Sequence, residues 1–121
     1  MNHIPYGLAM VSVPTEALED VARRFALLSD ATRLRILREL HVAGESSVSA
    51  LAEVADVSVA NASQHLGCLA SGGVVSRHRV GRTVVYRITE PAVSQLCDIV
   101  CTSLDIAPEA TDRPLPDSHA S

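Results

Sequence analysis

Four side chains that hydrogen-bond without a fixed charge, Asn61, Ser63, Gln64 and His65, stand close together in SVANASQHLGCL, residues 58–69. Asn and Gln can pair with adenine in two directions, and Ser with most base edges, so such a face reads bases where a Lys-rich one would mainly hold phosphate. Ser58 and Val59 open the same stretch. Downstream, Arg77, Arg79, Arg82 and Arg87 lie in a segment, 57–89, that contains no Asp or Glu and so carries +4 without its histidines. The remaining residues hold six arginines against all fourteen acids. The net charge of −4 therefore hides one basic strip on an acidic body, and a polyanion responds to the strip. Cys68, Cys97 and Cys101 form a second chemical group, thiols that can hold a soft ion or be oxidised.

The periodicity supplies elements to hold these groups. From Thr15, Leu18, Val21, Ala22, Phe25 and Leu28 recur at helical spacing, with Glu16, Glu19 and Asp20 near the favourable N-terminus. SDATRLRILREL restarts the pattern: Ser29 or Asp30 can cap, Leu34, Leu37 and Leu40 line one face with Ile36 beside it, and Gly44 ends the helix. Val48, Leu51, Ala52 and Val54 predict a short third helix. Ser58 then caps a fourth that runs to about Ala70, with Ala62, Leu66 and Leu69 inward and Asn61, Gln64 and His65 outward. A short helix, a tight turn and an uncharged polar helix face make a helix-turn-helix. A merely solvated face is the plainer reading of that pattern alone.

GGVVSRHRVGRTVVYRI, residues 72–88, sharpens it. Two glycines stop the helix, VVSRHR and TVVYRI read as strands, and VGR between them is a hairpin tip. Such a wing sets Arg77, Arg79 and Arg82 beside the reading helix for phosphates or the minor groove. A soluble hairpin would explain the arginines but not the missing acids. After Pro91, the residues Val93, Leu96, Cys97, Val100, Cys101 and Leu104 share one face of a last helix, a spare apolar stripe on which two chains can pair.

The expected fold is mainly α with a small β-hairpin, α+β: a winged helix-turn-helix of about five helices and a two-stranded antiparallel wing, dimeric. A chain of 121 residues, 47% hydrophobic, can bury one modest core. The DNA-binding and dimerisation body is expected over 15–105, with flexible ends at 1–14 and 106–121, the latter containing APEATDRPLPDSHAS. GLAMVSV is too short to span a bilayer and no Lys or Arg precedes it, so no membrane role is expected and the chain reads as cytoplasmic, with reduced thiols. The scattered histidines, and the want of a Gly-rich pocket loop, disfavour an enzyme. A winged helix used for protein interaction remains an alternative.

FALLSDATRLRILREL, SQHLGCLASGGVVSRHRVGRTVVYRI and the following helix resemble the ArsR/SmtB winged-helix repressors of bacteria, over about Leu18 to Leu104. The shared hallmarks are the Ser-Asp-x-Thr-Arg-x-x-Ile-Leu opening, the Ser-x-His-Leu reading helix and the Gly-Arg-x-x-x-Tyr wing. The resemblance implies a homodimer, paired through the first and last helices, with reading helices in successive major grooves of a roughly palindromic operator. It implies DNA contacts from Ser58, Val59, Asn61, Ser63, Gln64, His65, Arg77, Arg79 and Arg82.

The resemblance also implies an effector that reaches particular side chains. The third-helix Cys-Val-Cys site of arsenic and cadmium sensors is missing, since Ser47 and Ser49 stand there. The last-helix zinc and nickel site is likewise unmatched at Glu90, Ala92, Ser103 and Ile106. Cys68 in HLGCL matches the first cysteine of cadmium and lead sensors, but Gly72 replaces the second, leaving Cys97 or Cys101 to complete a set. In redox- and persulfide-sensing relatives a second-helix cysteine bonds a late last-helix one; Cys101 matches the latter and Arg38 occupies the former.

Cys97 and Cys101 are four residues apart, with Cβ atoms about 5–6 Å apart on a helix, which suits two ligands of one ion better than a disulfide. A soft divalent ion, Zn, Cd or Pb, is the expected effector, with a redox effector or none as alternatives. The plainer reading makes all three cysteines small core residues.

Overall fold

The computed structural model describes residues 11–106. Five helices and one hairpin follow in order: α1 (Thr15–Leu27), α2 (Ala31–Ala43), α3 (Val48–Ala55), α4 (Val59–Ser71), β1 (Val75–Val80), β2 (Thr83–Ile88) and α5 (Ala92–Ser103). The expected ends fall outside the described residues except at 11–14 and 106; Val11 and Ser12 there are helical.

Short polar side chains set the starts of α2, α3 and α4. Asp30 accepts from the Arg33 amide at 3.0 Å, Ser47 from that of Ala50 at 3.2 Å, and Ser58 from that of Asn61 at 3.0 Å. Each satisfies an amide that the first turn leaves without a helical partner. The bond from the Arg33 amide also holds the Asp30 carboxyl below its ordinary pKa, with a backbone bond from Thr32 and the Arg33 charge adding to it against desolvation. Gly44 ends α2 at φ 85°, and Asp56 ends α3 in the left-handed region at φ 59°, ψ 47°. Asp tolerates that region better than most residues, so a three-residue turn, 56–58, can join α3 to α4.

The core gathers α2, α3, α4 and the root of the hairpin around Ile36, Leu40, Leu51, Leu66, Leu69 and Val74, all almost fully buried. Burying each such Leu or Ile contributes roughly 1.5–3 kcal/mol. The inner face of α2 is Ile36, Leu37 and Leu40, whereas Leu34, expected among them, is 39% exposed. The two strands pair antiparallel from Val75 with Ile88 to Val80 with Thr83, and Ser46 adds an isolated bridge to Tyr86.

The outer helices are different. None of the residues of α1 is buried, and α5 buries only Val93. Leu18 and Phe25 of the stripe expected on α1, and Val100 and Leu104 of the stripe expected on α5, lie exposed, as does Ile99. Leu27 and Leu28 anchor the end of α1 in the core, and Arg24 reaches Glu90 across 3.7 Å. Leu96 and Cys97 pack partly against the core, while the outer part of both apolar faces is left uncovered among the described residues.

Candidate nucleic-acid interface

α4 divides as its sequence predicts. Ala62, Leu66 and Leu69 are fully buried, while Val59, Asn61, Ser63 and Gln64 are exposed. The buried leucines fix the rotation of the helix, and the rotation aims the polar residues outward. Ser58 is exposed at its start, although its hydroxyl already serves the cap.

His65 is the exception on this face. It is half-buried, and its Nδ1 accepts a hydrogen bond from Arg33 Nε at 3.1 Å. Accepting there requires the neutral ring with its proton on Nε2. Arg33 also donates to the carbonyls of Leu27 and Ala26 at 3.4 and 3.5 Å, tying the end of α1 and the start of α2 to the reading helix. Sequence reasoning missed Arg33 as a positioning residue. Its place in the first turn after the Asp30 cap was visible, but its partner 32 residues away was not.

The hairpin tip is Gly81–Arg82, between the last pair Val80 and Thr83. Gly81 has φ 65°, and glycine at the first central position of a two-residue loop suits the twist of a hairpin. Residues two apart share a face, so Arg77 and Arg79 project from the same side of the ribbon, opposite Tyr86 and Val84 respectively. Both are exposed, as is Arg82 at the tip. Among the described residues no carboxylate pairs with any of the three. Arg87 is otherwise engaged: its Nε and a terminal nitrogen both lie 2.9 Å from Glu45 Oε1. The basic strip thus reduces to three free guanidinium groups beside an uncharged helix face.

The thiols divide between two clefts. Cys97 and Cys101 line one of about 320 Å³ between α2 and α5, with Leu34, Leu37, Arg38 and His41. Burial pushes the Cys97 thiol up, and the neighbouring Cys101 and Asp98 push it further. Cys68 lines a separate, open cleft between α1 and α4, with Arg23, Arg24, Arg33 and Gln64. The three cysteines are therefore not brought together within one protomer. Among the described residues no three His, Cys, Asp or Glu side chains gather as metal ligands. At Gly72 a Cβ would stand 2.1 Å from Leu27 Cδ1, so a side chain there requires the end of Leu27 to turn aside.

A family model described as a helix-turn-helix domain matches residues 28–78. A "probable mercury resistance operon repressor" of Streptomyces lividans is 35% identical over 102 residues, covering 84% of this chain and 81% of its own. A cadmium resistance transcriptional regulatory protein CadC homolog of Staphylococcus aureus is 37% identical over 65% of each chain, so this chain spans just under two thirds of that regulator's length. The solution structure of a homodimeric winged helix-turn-helix DNA-binding domain from Mycobacterium bovis, described as a "possible ArsR-family transcriptional regulator", superposes with a TM-score of 0.65 at 32% identity. It covers 87% of this chain and 91% of its own.

Proposed function

The chain belongs to the ArsR family of winged helix-turn-helix transcriptional regulators, and from that premise we propose that it is a homodimeric, sequence-specific repressor released from DNA by a soft, thiol-binding metal ion. The observation that carries the DNA-binding part is that a segment without Asp or Glu, 57–89, exposes Asn61, Ser63 and Gln64 on α4 and Arg77, Arg79 and Arg82 on the wing, with no carboxylate paired to these three arginines among the described residues. The arginines neutralise phosphates and fix register, while Asn61 and Gln64 read base edges and Val59 offers an apolar contact to a thymine methyl. Ser58 lies at the N-terminus of the helix, where backbone amides favour phosphate. His65, held by Arg33, acts first by fixing how deep α4 sits and presents only its Nε2 side.

The uncovered apolar faces of α1 and α5 support pairing within the 15–105 body, as in the homodimeric relative. A two-fold dimer sets two reading helices in successive turns of the groove, on an operator with matching near-symmetry. The names of the mercury and cadmium relatives and the presence of three thiols support a soft-metal effector. On this reading the chain acts by occupying DNA in the cytoplasm, without catalysis. No helix among the described residues is long and apolar enough to cross a membrane.

Fluorescence anisotropy of the reduced protein on DNA from upstream of its own gene tests this. The expected outcome is tight binding that falls steeply with salt and prefers that DNA over a scrambled duplex. Equal affinity for both duplexes, or binding insensitive to salt, refutes the reading.

A further inference from the structure

We propose that Cys97 and Cys101 form a two-coordinate site for a soft divalent ion of the mercury(II) kind, seated in the cleft between α2 and α5. The inference rests on the reading of the chain as a metal-responsive regulator, and adds which ion class it answers to and which residues hold it. Both thiols lie on α5 one turn apart and open into one cleft. Their Cβ atoms are about 5–6 Å apart, a spacing that side-chain rotation can adapt to two sulfurs on either side of one ion.

Coordination number discriminates between ions. Zinc prefers four ligands in a tetrahedron, and cadmium and lead, though thiophilic, also seek more than two donors. This cleft supplies two sulfurs, and no third His, Cys, Asp or Glu joins them among the described residues to make a metal-binding group. His41 lines the same cleft, but its Nδ1 is 3.1 Å from Ser94 Oγ and is engaged on that side. Cys68 opens into the other cleft. Mercury(II) is satisfied by two thiolates in line and needs no further ligand.

Charge favours a divalent ion in this cleft, though it does not separate mercury from cadmium or zinc. The ion displaces one proton from each thiol, two S–M bonds replace two S–H bonds, two protons leave to solvent, and no electron is transferred. The product is neutral. A neutral bis-thiolate suits a cleft lined by Leu34, Leu37 and Val93, where an uncompensated charge would be costly. Arg35, Arg38 and His41 line the α2 side of the cleft and Asp98 the α5 side. The bound ion would bridge the last two turns of α5, on a helix whose Ile99, Val100 and Leu104 are uncovered in the single protomer.

The test uses the reduced full-length protein as wild type, Cys68→Ser and Cys97→Ser/Cys101→Ser. Each is titrated with Hg(II), Cd(II) or Zn(II) against a weak competing thiol, then alkylated, and the blocked cysteines are mapped by mass spectrometry. Stoichiometric Hg(II) should protect Cys97 and Cys101 while leaving Cys68 open, Cys68→Ser should behave as wild type, and the double variant should lose uptake. Cd(II) and Zn(II) at the same concentration should protect neither.

Protection of Cys68 ahead of the pair, equal protection by Cd(II), or undiminished uptake by the double variant overturns the site. The wild-type map stands whether or not the double variant folds. Operator binding by the metal-free wild type is measured in parallel. Its failure refutes the regulator reading, whereas lost thiol protection with DNA binding intact refutes the site alone.

Discussion

Replacing Arg82 by Ala tests which arginines meet the DNA backbone. The structure separates the four wing arginines into three without a carboxylate partner, Arg77, Arg79 and Arg82, and one, Arg87, bound to Glu45 at 2.9 Å. Each phosphate neutralised contributes about −0.9 to the slope of log K against log salt. A dimer carries every substitution twice, so Arg82→Ala should flatten that slope by about 1.8. Between roughly 50 and 200 mM salt this makes the variant's loss of affinity about tenfold smaller than that of wild type. The Glu45→Ala/Arg87→Ala variant removes a neutral pair and should leave the slope unchanged. Anisotropy on one operator duplex over a salt series measures both. A slope unmoved by Arg82→Ala, or flattened equally by the paired substitution, refutes this division of the arginines.

Gln64→Ala should instead narrow the gap between the preferred and a mismatched base pair in each half-site by about 1–3 kcal/mol, with non-specific affinity unchanged, as read by competition with point-altered duplexes. Gly72→Ala forces a Cβ into Leu27, and overpacking of that kind should lower unfolding stability by roughly 1–3 kcal/mol in urea melts. Phe25→Glu puts a charge on an exposed apolar face of α1, so sedimentation should show monomer where wild type is dimer, with operator affinity falling alongside. Asp30 has a folded pKa below its ordinary 3.8, so its cap stabilises above that value and the contribution is lost as pH falls through the lower folded value. Asp30→Asn should therefore flatten the acid limb of stability below about pH 4, seen in urea midpoints across that range.

The helices, the wing and the polar face of α4 were legible because their causes are local. A cap and the amide it serves are three residues apart, and a strand pair is announced by its turn. Contacts across the chain were not. Arg33 meets His65 over 32 positions and Arg87 meets Glu45 over 42, and neither sequence carries a mark of the other. α2 is apolar at 34, 36, 37 and 40, and spacing alone puts Leu34 on the inner face with Leu37 and Leu40. Which three turn inward depends on where α3 and α4 lie, and they admit Ile36. The separation of Cys68 from the α5 thiols likewise follows from the placing of whole helices, which spacing along the chain does not encode.

The bare flank of α1 also sets how long a subunit survives alone. A helix with no buried residue is held mainly at its C-terminal end, by Leu27 and Leu28, the Arg33 bonds to the Ala26 and Leu27 carbonyls and the Arg24–Glu90 pair, so its earlier turns are the ones to fray, and frayed segments are where proteases cut. Pairing removes that exposure by mass action, so the lifetime of the chain rises with its own concentration. In a cell, newly made subunits below the pairing threshold would be cleared and those above it retained. The supply of active repressor would then switch on with expression more sharply than synthesis alone provides.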